Sequence, residues 1–160
     1  MHRYVLAFLI VASPFSALAG ELPKEGNYDF ISCSSGVNNV ITFSKTHIAS
    51  SSELTGTNRS NPPGGLFDKI TYRCVGMNAS LDGKITAFIV CEGIDVDGDK
   101  YLSRVSTADG KTTRTIVAGT GKYEGIVTTQ TAFEPLGPFP TIKEGTSQGC
   151  NRQTGTYKLK

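Results

Sequence analysis

The acidic run Asp95-Val96-Asp97-Gly98-Asp99 is the first stretch of this chain whose residue types and spacing point to chemistry, because alternating aspartates ahead of a glycine open a calcium loop. The rest of the pattern departs from one. The glycine stands fourth rather than sixth, and Ser106 occupies the twelfth place, where a bidentate glutamate is required. The run therefore reads as a solvated hairpin turn. Gly119-x-Gly121-x-x-x-Gly125 approaches a phosphate-cradling loop, but it exceeds the G-x-G-x-x-G spacing by one residue and no βαβ pattern surrounds it. Glycines so placed mark a bend or a close backbone approach. His47 sits in a polar stretch with no identifiable partner and reads as a surface histidine rather than the base of a hydrolase triad. The four cysteines, Cys33, Cys74, Cys91 and Cys150, show no C-x-x-C spacing and have no histidine set to join them. No metal and no cofactor is expected.

The elements that position these residues are strands. Between residues 70 and 126, Asp-Gly occurs at Asp82-Gly83, Asp97-Gly98 and Asp109-Gly110, flanked each time by Val, Ile, Thr, Tyr and Phe. A two-residue type I′ turn needs φ > 0 at both central positions, which Gly supplies and Asp tolerates. A four-strand antiparallel meander follows, over residues 66–79, 84–94, 100–107 and 111–118. In the first hairpin Leu81 faces Lys84, and counting outward brings Cys74 opposite Cys91 as a non-hydrogen-bonded pair, close enough for a disulfide. Arg73 with Glu92 is the next pair out. Cys33 is left for Cys150, tying the first strand to the last.

Further strands are expected at residues 28–34, 40–45, 48–57, 126–132 and 155–159, with Ser35-Gly36 turning the chain between the first two. Asn61-Pro62-Pro63-Gly64-Gly65 must be a loop, and residues 134–140 form a Pro-rich connection. No sustained apolar i, i+3, i+4, i+7 pattern follows the N-terminal segment, so almost no helix is expected. Eight or so short strands with tight turns suggest a single all-β domain, an antiparallel meander barrel or a sandwich, of which a barrel leaves no strand edge open.

Residues 1–19 read as a secretory signal peptide: His2 and Arg3, an apolar run from Tyr4 to Ala12, a Ser13-Pro14 break, and Ala17-Leu18-Ala19 before Gly20. Cleavage after Ala19 leaves residues 20–160 as one barrel domain, secreted or periplasmic, with no later apolar run long enough to span a membrane. Arg3 is the only counted charge removed, so 15 basic residues face 14 acidic ones. That balance excludes electrostatic nucleic-acid binding.

Three motifs together resemble small secreted bacterial proteins of the allene oxide cyclase barrel-like superfamily, which is similar in fold to plant dirigent proteins. They are Asp-x-Asp-Gly-Asp-Lys at residues 95–100, Gly-Thr-Gly-Lys-Tyr-x-Gly-Ile at 119–126 and Gly-Thr-Tyr-Lys-Leu at 155–159. The resemblance covers the chain from Cys74 onward and implies an eight-stranded antiparallel barrel of calycin type. The plant cyclase's catalytic pattern is absent from these residues, so no catalytic residue follows from it.

Extending the register through all three Asp-Gly turns places Val75, Met77, Phe88, Val90, Val105 and Ile116 on one face with Arg73, Glu92, Tyr101, Ser103 and Arg114. If that face lines the lumen, Arg73, Glu92, Tyr101, Arg114 and Phe88 form a site for a hydrophobic or amphipathic small molecule bearing an acid group. If it faces out, Arg73 and Glu92 make an ordinary surface pair. A binding barrel with a rim at residues 61–65 and 134–140 is the leading reading. The alternatives are a cofactor-free cyclase or isomerase with Glu92 or Tyr101 as its acid-base group, and a packed barrel acting through its outside. Intact mass spectrometry of the exported protein under non-reducing conditions is expected to give the mass of residues 20–160 with all four thiols oxidised. A mass that retains residues 1–19 overturns the cleavage site.

Overall fold

The computed structural model describes residues 22–160 and is an eight-stranded, nearly closed antiparallel barrel. The expected signal peptide lies outside the described residues. The strands are β1 (Glu25–Thr42), β2 (His47–Ser60), β3 (Ile70–Leu81), β4 (Lys84–Ile94), β5 (Lys100–Ala108), β6 (Lys111–Gly119), β7 (Val127–Leu136) and β8 (Thr146–Lys158). A single 3-10 turn, Gly121–Tyr123, is the only helical segment among the described residues. No helix there is long and apolar enough to cross a membrane. The sheet runs β6-β5-β4-β3-β2-β1-β8-β7. At the seam, β6 and β7 share no ladder, and the Arg114 amide instead donates to Gln130 Oε1 at 2.6 Å.

Two Asp-Gly pairs form the expected turns. Asp82 (φ 51°) with Gly83 (φ 76°), and Asp109 (φ 51°) with Gly110 (φ 73°), supply the two positive φ values of a type I′ turn. Leu81 pairs with Lys84 and Cys74 with Cys91, and both disulfides, Cys74–Cys91 and Cys33–Cys150, are formed. Two bridges suit an oxidising compartment. Closure of the long Cys33–Cys150 loop contributes about 5 kcal/mol in the chain-entropy model.

The third Asp-Gly pair behaves differently. Residues 95–99 form a five-residue loop in which Ile94 pairs with Lys100, so the register from β4 to β5 is one residue off that of a two-residue turn. Because side chains alternate with period two, that single step puts Tyr101, Ser103 and Val105 on the face opposite Arg73, Glu92 and Phe88. The expected face is thus split between the inside and the outside of the barrel.

Other expectations are corrected as well. Ser35-Gly36 is no turn: β1 runs straight through, pairing Gly36 with Leu54, because a Cβ at Gly36 would collide with the Leu54 side chain and the Glu53 carbonyl. Glycine here permits close strand approach. Leu66 and Phe67, expected at the start of a strand, lie in the connection before β3 and are buried. Residues 61–65 and 134–140 lie at opposite ends of the barrel, since alternate connections of an up-and-down sheet emerge at alternate ends. They cannot form one rim.

On the inner face four tyrosines each face a glycine across a ladder: Tyr28 with Gly155, Tyr72 with Gly56, Tyr101 with Gly93 and Tyr157 with Gly26. A Cβ at Gly56, Gly93 or Gly155 would run into the facing ring. Gly93→Ala is therefore expected to lower stability by roughly 1–3 kcal/mol through overpacking. Gly149→Ala, where a Cβ meets nothing within 4 Å, should be neutral by comparison. Denaturant unfolding with the disulfides intact checks both.

Candidate functional site

The inward-facing side chains divide the lumen into a filled end and an open one. At the filled end Phe67 inserts from the β2–β3 connection, with its own backbone at φ 69°. Its ring sits edge-on to Tyr28, Phe30 and Tyr101, each at 5.4 Å between centroids, and stacks on Tyr123 at 5.8 Å. Leu66, Ile70, Ile126 and Tyr157 complete this core.

Above the aromatic cluster sits Arg114. Its guanidinium lies 4.8 Å from the centre of the Phe67 ring, 5.0 Å from Tyr101 and 5.4 Å from Phe30. Cation–π contacts of this kind contribute up to about 2 kcal/mol when desolvated. No carboxylate lies within ion-pair distance of it among the described residues. Burial pushes the Tyr101 and Tyr28 hydroxyls above their ordinary titration range, and the positive charge of Arg114 pulls each partly back.

The cavity beside Arg114 has a volume of about 160 Å³. Its polar wall includes Ser32, whose hydroxyl meets the Tyr72 hydroxyl at 2.8 Å, and Gln153, whose amide donates to Asn151 Oδ1 at 2.8 Å. Asn58 Oδ1, Ser103 Oγ and Gln153 Oε1 are buried there with no hydrogen-bond partner. Leu54, Ile89, Val105 and Phe133 add apolar surface. A wider depression of about 510 Å³ lies over the Cys33–Cys150 bridge, but it is open and no charged side chain lines it.

Of the five residues expected to form a site, Tyr101 and Arg114 line this cavity. Arg73, Glu92 and Phe88 lie on the outer face, where Arg73 pairs with Glu53 at 2.8 Å and Glu92 with Lys100 at 3.2 Å. The acid-base arrangement expected for Glu92 therefore does not form, and no carboxylate or histidine among the described residues lines the cavity. Asn58, Gln153 and Phe30 come from strands whose register the sequence reading did not reach. For Phe30 and Asn58 the signal was the alternation along residues 28–34 and 54–60, visible once Cys33 is known to face outward, and Gln153 follows only from its pairing with Phe30 across β1 and β8.

Two motifs acquire partners from elsewhere in the chain. His47 Nε2 lies 3.3 Å from Asp82 Oδ1, and His47 Nδ1 meets Thr46 Oγ1 at 3.0 Å and Ser44 Oγ at 3.1 Å. Asp82 is four-fifths exposed, and neither cavity above includes the group, so it stitches two hairpin tips together without a place to hold a substrate. The aspartate run is solvated only at its tip: Val96 and Asp97 are exposed, but Asp95 is buried, its Oδ1 accepts the amides of Asp97 and Asp99, and Lys122 Nζ bridges Asp95 and Asp97 at 2.7 Å each. The lysine ammonium occupies the position a cation would take. The glycine run makes this contact possible, because Gly119 approaches the Tyr123 backbone too closely for a side chain and Gly121 (φ 50°) is pressed against Asp99.

Burial alone raises the Asp95 carboxyl, but Lys122 and the two amides outweigh it and hold the group below its ordinary 3.8. Lys122 is likewise lowered by burial and more strongly raised by the two aspartates, ending above its ordinary 10.5. A depressed carboxyl contributes stability above its unfolded value and loses it as pH falls through the folded one. A raised lysine contributes below 10.5 and loses that as pH rises through its folded value. The clamp is thus at full strength between pH 3.8 and 10.5. Hydrogen exchange is expected to show protection of the Asp97 and Asp99 amides across that window, falling away below pH 3.8, and Asp95→Asn should remove the acid step.

No protein-family model, curated protein or solved structure matches this chain, so its own residues carry the functional reading.

Proposed function

We propose that this protein is an exported barrel, released from its leader after Ala19, that binds a small amphipathic carboxylate in its lumen with Arg114 as the anchor. The barrel architecture and the glycine run also support kinship with the allene oxide cyclase barrel-like superfamily. The observation that carries the binding reading is the seat of Arg114: a guanidinium on three aromatic rings, beside a cavity, with no carboxylate among the described residues within ion-pair distance. A planar guanidinium recognises a carboxylate through two parallel hydrogen bonds, and the rings beneath it hold the fork in place.

The size of the cavity narrows the ligand. About 160 Å³ is close to the volume that accommodates one benzene ring, so a single ring or the end of a short acyl chain enters and the remainder extends toward the open end. Val75, Met77 and Phe88 lie exposed side by side on β3 and β4, and they favour as a second reading a barrel that also acts through its outer wall.

Titration calorimetry with benzoate and octanoate tests the proposal. Arg114→Gln is expected to weaken binding by about ten- to a hundredfold, the scale of one lost charged hydrogen-bonded contact. Arg73→Gln, on the outer face, should leave affinity unchanged, and benzyl alcohol should bind poorly to every form. Equal affinity in the Arg114 and Arg73 variants, or no binding of either acid to the wild type, overturns the reading.

A further inference from the structure

We infer that the open end of the barrel docks on the surface of an anionic lipid bilayer, inserting hairpin tips without spanning it. The two ends differ in what they do with their largest apolar residues, although Val96 and Val127 at the filled end are exposed as well. Connections β2–β3 and β6–β7, at the filled end, turn Leu66, Phe67, Tyr123 and Ile126 inward and bury them. Connections β1–β2, β3–β4 and β7–β8 emerge together at the other end, where Phe43 is 86% exposed and Ile142 84%, with Ile41, Leu81 and Ile85 at the adjoining strand ends more than half exposed.

Each of the four connections at the open end also carries or adjoins an exposed lysine: Lys45, Lys84, Lys111 and Lys143. The acidic residues among them are Asp82, Asp109 and Glu144, and Asp82 already faces His47. Apolar tips flanked by long cationic side chains suit a headgroup interface, where the tip reaches the acyl boundary and the ammonium remains at phosphate level. A folded protein partner requires a continuous complementary surface. These side chains instead project from separate hairpins around the mouth, an arrangement a fluid surface accepts. The inference does not depend on what the lumen binds.

The test is co-sedimentation of the oxidised, exported protein with vesicles of phosphatidylcholine alone and of phosphatidylcholine mixed with phosphatidylglycerol. Binding is expected to the mixed vesicles, weaker to the neutral ones, and weaker again in high salt as the charges are screened. The double substitution Phe43→Ser with Ile142→Ser should lower the partition coefficient at least about tenfold, given the burial each apolar side chain forfeits. Val96→Ser, an equally simple change at a 71% exposed site on the opposite end, should not alter it. No sedimentation of the wild type with mixed vesicles, or equal losses in the two variants, overturns the inference. Benzoate titration of the double variant separates the two proposals, because it should retain the wild-type affinity.

Discussion

Four tyrosine rings lying across glycines of the neighbouring strands are the contact on which the rest of the barrel depends. A glycine inside a strand costs backbone entropy and leaves a gap in the packing. The facing ring fills that gap and fixes the register, since a slip of one residue would bring a Cβ against the ring. Tyr28 on Gly155 and Tyr157 on Gly26 lock β1 to β8, while Tyr72 on Gly56 and Tyr101 on Gly93 hold β3 to β2 and β5 to β4. With the rings held inward, Phe67 packs against Tyr28 and Tyr101, and the upper surface of that cluster is where Arg114 rests.

The difference between the two ends follows from where their connections send their apolar side chains. Two-residue turns at Asp82-Gly83 and Asp109-Gly110 leave no chain to reach across the mouth, and the longer β7–β8 connection at that end keeps Ile142 in solvent instead of sending it into the lumen. The connection of residues 61–69 is long enough to send Leu66 and Phe67 into the lumen, and Asp68 accepts the Ser60 and Gly64 amides at 3.0 and 2.9 Å to hold it there. The Asp95–Lys122 clamp fastens residues 95–99 to the glycine run beside it. One end thus holds the buried aromatic core and its hydrogen-bonded connections, and the other holds the two-residue turns.

Arg114 also lies at the seam. Strand β6 has a ladder on one side only, and the bond from the Arg114 amide to Gln130 takes the place of a main-chain rung. The bulge in β7 between Gln130 and Ala132 interrupts its regular edge, which is a common way to blunt an unpaired strand.

Features that depend on residues close together in the chain were legible from the residues alone. The Asp82-Gly83 turn was legible because both positive φ values are supplied by adjacent residues, and from it the Cys74–Cys91 pairing and then Cys33–Cys150 followed by counting and elimination. The same turn chemistry at Asp109-Gly110 kept Tyr101 and Arg114 correctly on one face. Asp97-Gly98 misled, because the Asp95 carboxylate takes the amides of Asp97 and Asp99 and the distant Lys122 fixes that carboxylate in place. Only the tertiary structure decided that Arg73, Glu92 and Phe88 face out while Tyr101 and Arg114 face in. The reason is physical: a one-residue change in a single loop reverses the parity of the strand that follows, and an ion pair between residues far apart in the chain selects that loop.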